Sequence, residues 1–338
     1  GGRRKSFRQV DRVVERKLDT GTCIINKYEV LKELGRGSFG AVYQCKDTDT
    51  GLHYAMKASQ EGGSHRGEQL AESLRREVAA MKKLRHPNIV TLWEVIDDPR
   101  AQKVYMIQEY MDKGPILPES YDVTPLSPAD ALHKFAQAVR GLHYLHTHGV
   151  IHGDIKPANL LEDSAGRVKI ADFGACVVSK NDSEDGGGAS ATGEHGATAG
   201  EGGAGSGAAP PSPAGAAVKP RRAKGFGTPV FMAPELLRAE PAEIGPATDV
   251  WALGVTLYQM VVGKVPGAPS PTLGAVAGSA STAASGAAGA GQASPGCQEL
   301  EPNLKHLVMR MLDKDPWHRA TLEEVMYHDW TIGEGICP

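Results

Sequence analysis

Between residues 150 and 161 the chain reads Val150-Ile151-His152-Gly153-Asp154-Ile155-Lys156-Pro157-Ala158-Asn159-Leu160-Leu161. Apolar pairs bracket a polar centre, so the stretch predicts a loop pinned at both ends. Asp172-Phe173-Gly174 follows a little further on. A carboxylate and an amide at 154 and 159, with a second carboxylate at 172, can position a hydroxyl nucleophile and hold magnesium. That is the equipment of phosphoryl transfer. Any fold for this chain has to bring the two segments together.

The remaining bulk properties narrow the choice. A chain of 338 residues is comfortable with two lobes. Basic residues number 37 and acidic 40, for a net charge of −3, so no global basic field points to nucleic acid or a membrane. No apolar run reaches the roughly 18 residues of a membrane span. The basic N-terminus lacks the apolar centre of a secretory signal, and the first residue is Gly rather than Met, as in a fragment. Cys23, Cys45, Cys176, Cys297 and Cys337 are scattered without metal-ligand spacing. They read as reduced thiols of a cytoplasmic or nuclear protein.

Residues 1–26 form a basic extension in which Phe7, Val10, Val13, Val14 and Leu18 have helical spacing. It is expected to pack on the domain as a short helical segment or to stay loose. Strands are predicted over 28–34 and 41–46, with a glycine turn (Gly35, Gly37, Gly40) between them, and a third over 52–57. Residues 70–84 predict a helix with Leu74, Val78, Met81 and Leu84 on one stripe. Glu77 lies on the same stripe, where a carboxylate is costly unless paired. His86-Pro87-Asn88 breaks that helix, and strands follow over 89–97 and 103–108. Ser127 caps a helix with Leu132, Phe135, Val139 and Leu142 on its buried face. A hairpin (160–161 with 168–170) leads into Asp172, and 249–262 is apolar on nearly all sides, hence a buried helix. An amphipathic helix at 304–312 and a last one through Trp330 close the chain. Two Gly/Ala/Ser-rich tracts, 180–218 and 266–296, carry too little apolar surface to order themselves.

A glycine loop of this spacing also opens dinucleotide-binding folds, but there a helix follows it. Here a strand follows, which argues against a dinucleotide-dependent oxidoreductase. Between strands, the glycines let backbone approach phosphates. Val42 would then cover one face of an adenine, with Ala55 opposing it across the ring. Lys57 ends its strand, and an ion pair with Glu77 would explain both the buried-face carboxylate and a lysine aimed at phosphate oxygens. Asp154 is the candidate base for a hydroxyl, Lys156 would neutralise charge on the transferred group, and Asn159 with Asp172 would hold Mg²⁺.

Taken together, GRGSFGAV at 35–42, AMK at 55–57, REV at 76–78, HGDIKPANLL at 152–161, DFG at 172–174, GTPVFMAPE at 227–235, DVWALGVTLY at 249–258 and DPWHRAT at 315–321 resemble the eukaryotic protein kinases. The resemblance implies a bilobal α+β fold: a small, mainly β N-lobe with one helix (27–110) and a larger, mainly α C-lobe (111–332), with a tail at 333–338. It implies MgATP as cosubstrate, with Leu34, Gly35, Gly37, Gly40, Val42, Ala55, Lys57, Gln108, Glu109, Met111 and Leu161 binding ATP. Glu109 to Met111 would be the hinge and Gln108 the gatekeeper. Met81, Leu92, His152 and Phe173 would stack as a spine, Asp249 would brace the catalytic loop, and Arg319 would pair with Glu235. Lys156 with Gly227-Thr228-Pro229 resembles the Ser/Thr class.

Within that family, EVIDDP at 94–99, VYMIQEYM at 104–111 and GPILPESYDVTPLS at 114–127 are similar to the calcium/calmodulin-dependent protein kinase kinases. HGDIKPANLL and GTPVF are closer still to the plant geminivirus Rep-interacting kinases. The resemblance implies a protein substrate that is itself a kinase of the AMP-activated, sucrose-nonfermenting-related type, phosphorylated on its activation loop.

The chain departs from the pattern at several places. It lacks the basic, proline-rich insert between Lys57 and Glu77 and ends with the domain, so calmodulin is not expected as a partner. The substrate-docking helix is replaced by 266–296, which keeps open a second reading, a kinase-fold scaffold with little activity. Gly153 stands where regulated kinases carry an Arg that grips an activation-segment phosphate, so activity without that phosphate is expected. The activation segment, 172–235, is roughly twice the usual length, and a doubling of loop length costs on the order of 0.6 kcal/mol.

Overall fold

The computed structural model describes residues 7–19, 21–37, 40–59, 65–101, 103–178, 228–237, 244–266 and 300–332. Ser38 and Phe39, the tract 180–218 and nearly all of 266–296 lie outside the described residues.

An eight-stranded sheet makes the N-terminal lobe, in the order β1-β7-β8-β6-β5-β4-β3-β2. Its strands are β1 (Arg8–Val10), β2 (Glu15–Lys17), β3 (Cys23–Ile25), β4 (Tyr28–Gly37), β5 (Gly40–Asp47), β6 (His53–Ala58), β7 (Leu92–Asp98) and β8 (Lys103–Glu109). The helical spacing of the first segment does not become a helix. Its residues add strands to both edges: β1 runs parallel to β7, and β2 pairs with β3, which joins β4. A lone helix of that length is marginal in water, whereas sheet edges offer unpaired backbone groups. Val10 and Val13 reach the core on the sheet's outer face, while Val14 and Leu18 stay exposed. The sheet curls far enough that Glu15 on β2 bonds Lys103 and Tyr105 on β8, at 2.7 and 2.5 Å.

Helix α1 (His65–Met81) begins five residues before the expected start at 70, because a polar first turn carries no periodic signal, and it ends at Met81 rather than 84. Strand β7 begins at Leu92 rather than 89. The preceding residues are spent on the other lobe: the Val90 amide donates to the Ile170 carbonyl at 2.9 Å. Asn88 donates to the Val168 carbonyl at 2.8 Å and the Gln137 side chain at 3.2 Å. This close approach needs Gly141, where a Cβ would lie 2.7 Å from the Asn88 carbonyl.

The larger lobe is built on α2 (Pro128–Thr147) and α3 (Pro246–Val262), followed by α4 (Pro302–Met311), α5 (Leu322–Met326) and α6 (Asp329–Ile332). Ser127 caps α2 by accepting from the Asp130 amide at 3.1 Å. Short strands β9 (Gly114–Pro115), β11 (Leu160–Glu162) and β12 (Val168–Ile170) form one small sheet, and β10 (Val150–Ile151) pairs with β13 (Val177–Val178). Together they fix both ends of the loop 152–159 and of the turn at 172. Arg319, fully buried, forks onto Glu235 at 2.7 and 2.8 Å. Among the described residues no helix is long and apolar enough to cross a membrane.

Candidate active site

Lys57 leaves β6 into the space between the lobes. Its ammonium lies 2.7 Å from Glu77 of α1 and 2.7 Å from Asp172. The Phe173 amide donates to the other oxygen of Glu77 at 3.3 Å. Burial works against the Lys57 ammonium, but the two carboxylates outweigh it and hold its pKa above the ordinary value. Burial likewise opposes the Asp172 carboxylate, and Lys57 reverses the balance and keeps it below the usual range. Burial raises Glu77, which Lys57 only partly offsets. Asp172 sits at φ 61°, a left-handed conformation that only Asn26 shares among described non-glycine residues. Such a conformation costs roughly 1–2 kcal/mol and aims the carboxylate at Lys57.

A cleft of about 650 Å³ opens around this triad, lined by Leu34, Gly35, Gly40, Val42, Ala55, Gln108, Glu109, Met111, Asp154, Asn159 and Leu161. Gly37 forms the last rung of the β4–β5 hairpin, opposite Gly40. The expectation that Ala55 opposes Val42 across a ring is wrong. Val42 pairs with Lys57 and Gln44 with Ala55. Cross-strand partners and residues two apart share a face, so Val42, Ala55 and Lys57 all belong to the roof. The floor is Leu161 on β11, packed with Val90, Met111 and Ala171. Gln108 closes the back, its amide 3.4 Å from the sulfur of Met81. Glu109 is tied to Lys169 at 2.8 Å, and the chain crosses to the larger lobe through Tyr110 and Met111.

On the other wall, Asp154 accepts from the Thr228 amide at 2.9 Å and lies 2.8 Å from Lys156. Lys156 donates in turn to the Thr228 hydroxyl at 2.7 Å. Thr228 was legible only as part of a class motif, since its role depends on contacts made across more than seventy residues of chain. The Asn159 amide nitrogen is committed to Asp154, at 2.8 Å to its carbonyl and 3.1 Å to its side chain. Its oxygen is left as an acceptor, and Asp172 lines the same cleft. One amide oxygen and one carboxylate suit a hard cation that takes its other ligands from phosphate and water.

The loop is braced from below. Asp249 of α3 accepts from the His152 and Gly153 amides, each at 2.8 Å, and contacts His146 at 2.9 Å. Burial would raise its pKa, but His146 and the amides hold it below the usual carboxylate range. Gly153 has φ 77°, which glycine adopts without strain. His152 packs edge-on to Phe173 with centroids 5.1 Å apart, and Met81, Leu92, His152 and Phe173 are each at most 2% exposed.

A two-lobed fold with this constellation in its cleft matches the protein kinase domain over residues 28–331, and the chain belongs to that family. It is 34% identical to the serine/threonine-protein kinase GRIK2 of Arabidopsis thaliana over 97% of this chain and 70% of that protein. It is 36% identical to the serine/threonine-protein kinase ssp1 of Schizosaccharomyces pombe, over 93% of this chain but only 44% of that one. A calcium/calmodulin-dependent protein kinase kinase of Caenorhabditis elegans is 32% identical, over 93% of this chain and 54% of that protein.

Proposed function

We propose that this Ser/Thr protein kinase transfers the γ-phosphate of ATP to a hydroxyl on another protein kinase, of the AMP-activated, sucrose-nonfermenting-related type. The observation that carries the phosphotransfer reading is the assembled Lys57–Glu77–Asp172 triad facing Asp154 across one cleft. The kinase-directed role draws on the relatives, one of which is by name a kinase of a protein kinase.

In this reading Val42, Ala55 and Leu161 sandwich the adenine, and the backbone of 109–111 recognises its edge. Lys57, held by Glu77, orients the phosphates. Asp154 positions the acceptor hydroxyl and takes its proton, while Lys156 offsets negative charge on the group in transfer. Asn159 and Asp172 would hold magnesium, which when bound screens the phosphate oxygens. The test is phosphorylation of an AMP-activated-type catalytic subunit by wild type beside Asp154→Asn. Loss of signal in the variant is expected, and equal signal from both refutes the assignment.

Gly153 supports a second statement. Asp249 braces the loop through backbone amides, and Gly153 offers no cation for a phosphate. Phosphatase-treated protein should keep most of its activity. A fall of about ten-fold (~1.4 kcal/mol), restored by rephosphorylation of the activation segment, would overturn this.

A further inference from the structure

Strand β1 is far in sequence from every group in the cleft, yet it lies against the helix that carries Glu77. Arg8, Gln9 and Val10 run parallel to Glu94, Val95 and Ile96 of β7. Partners in a ladder share a face, and neighbours along a strand alternate. Gln9 therefore belongs with Val95, on the face that shares one core with Leu74, Val78 and Met81 of α1. Val10 belongs with Ile96, on the opposite face. Phe7 stands two residues before Gln9, and it packs half-buried against the core that contains α1. Lys82 follows the last residue of α1, and its amide still donates to the Val78 carbonyl at 3.0 Å. Its ammonium lies 5.3 Å from the centre of the Phe7 ring and donates to the Gln9 side-chain oxygen at 2.9 Å.

These contacts bracket Glu77. On one side of it Arg75 forks onto Asp97 of β7 at 2.9 and 2.8 Å. On the other, Lys82 meets Phe7 and Gln9. A helix tied at one point can still turn about it, and any turn of α1 carries Glu77 away from the Lys57 ammonium. Two ties about two helical turns apart remove that freedom. The exposed Lys82–Gln9 bond contributes little by itself, so the apolar area of Phe7 supplies most of the hold. The segment behind it is fastened on its own account. The Val13 amide donates to Asp98 at 3.1 Å and the Val14 amide to the Asn26 side chain at 2.7 Å, while the Asn26 amide nitrogen donates to the Arg12 carbonyl at 3.0 Å. Phe7 is thus delivered to α1 by an ordered strap.

We infer that Phe7 is a positioning residue for phosphotransfer: packed against α1, it holds the helix so that Glu77 keeps Lys57 aimed into the cleft. The inference rests on the reading that Lys57, held by Glu77, orients the phosphates of ATP. Phe7 lies outside the stretch that matches the kinase family, 28–331, so turnover is set in part by a residue that carries no family motif.

The experiment uses the full chain. ADP release from MgATP is measured with and without an AMP-activated-type catalytic subunit. Phe7→Ala should lower kcat about five-fold or more, with the KM for ATP changed less than about two-fold. Phe7→Leu, which restores most of the apolar volume, should recover most of the loss. Phe7→Ala combined with Glu77→Gln should be no slower than Glu77→Gln alone, because both act through the same ammonium. Losses that multiply would make Phe7 independent of Glu77 and overturn the inference, as would wild-type kcat in Phe7→Ala. If Phe7→Ala fails to fold, the smaller truncation Phe7→Val takes its place with the same expectations. If the wild type releases no ADP, the phosphotransfer reading falls, and hydrogen exchange over 71–81 decides the rest. Exchange there about ten-fold faster in Phe7→Ala than in wild type keeps Phe7 as the residue that holds α1, and equal rates refute that as well.

Discussion

Changing Glu77 to Gln isolates the electrostatic part of the site. Glu77 is 1% exposed and contacts the Lys57 ammonium at 2.7 Å. Removing one partner of a buried ion pair costs about 3–5 kcal/mol. Glutamine keeps an oxygen of the same reach, and a neutral hydrogen bond is roughly half as strong as a charge-assisted one. That leaves a loss of about 1.5–2.5 kcal/mol in holding Lys57, and with 1.36 kcal/mol per decade of rate, activity should fall roughly 10- to 70-fold. Asp172 still grips the ammonium at 2.7 Å, so Lys57 stays in the cleft but is aimed wrongly. The loss should therefore appear mainly in kcat rather than in the KM for ATP. Steady-state phosphorylation across ATP concentrations measures it, and a thermal melt separates it from unfolding. A variant with kcat within about two-fold of wild type, against the 1.36 kcal/mol per decade scale, would refute the claim that Glu77 orients Lys57.

Arg319→Ala leaves the Glu235 carboxylate buried without a countercharge and should cost ~3–5 kcal/mol of stability in chemical denaturation. Asp249 is held below its ordinary value of 3.8, so its contribution to stability is complete above that pH and is lost as pH falls through the lower, folded-state value. The stability gap between wild type and Asp249→Asn should accordingly stay constant near neutrality and shrink only below about pH 3.8; a gap that shrinks between pH 7 and 5 would count against it. Burial pushes the Cys45 and Cys176 thiols up to about 12. Both should resist iodoacetamide at neutral pH, as read by mass spectrometry, and rapid alkylation of Cys176 would show that its pocket opens.

The chemistry of this site was legible before the fold because it sits in short, ordered motifs. Asp154, Lys156 and Asn159 lie within six residues, and one loop can present them all. Glu77 betrayed itself by standing on an apolar stripe, where it needed a partner, and Lys57 supplies it at 2.7 Å. Other features were not legible. The spacing of Val10, Val13 and Val14 satisfies a helix, but two free sheet edges were available to the segment, and sequence periodicity carries no record of an empty edge. The relation of Val42 to Ala55 depended on strand register, which decides the face a side chain occupies.

By itself, then, the sequence determined the kinase motifs, the glycine hairpin, the buried α3 and the need for a Lys57–Glu77 pair, because each follows from local order or periodicity. Only the tertiary structure decided how β1 to β3 complete the sheet, that Val42 and Ala55 share the roof over Leu161, and how Thr228 closes onto Asp154 and Lys156. These features arise from contacts between segments far apart in the chain, where packing and backbone pairing, rather than any local pattern, set the outcome.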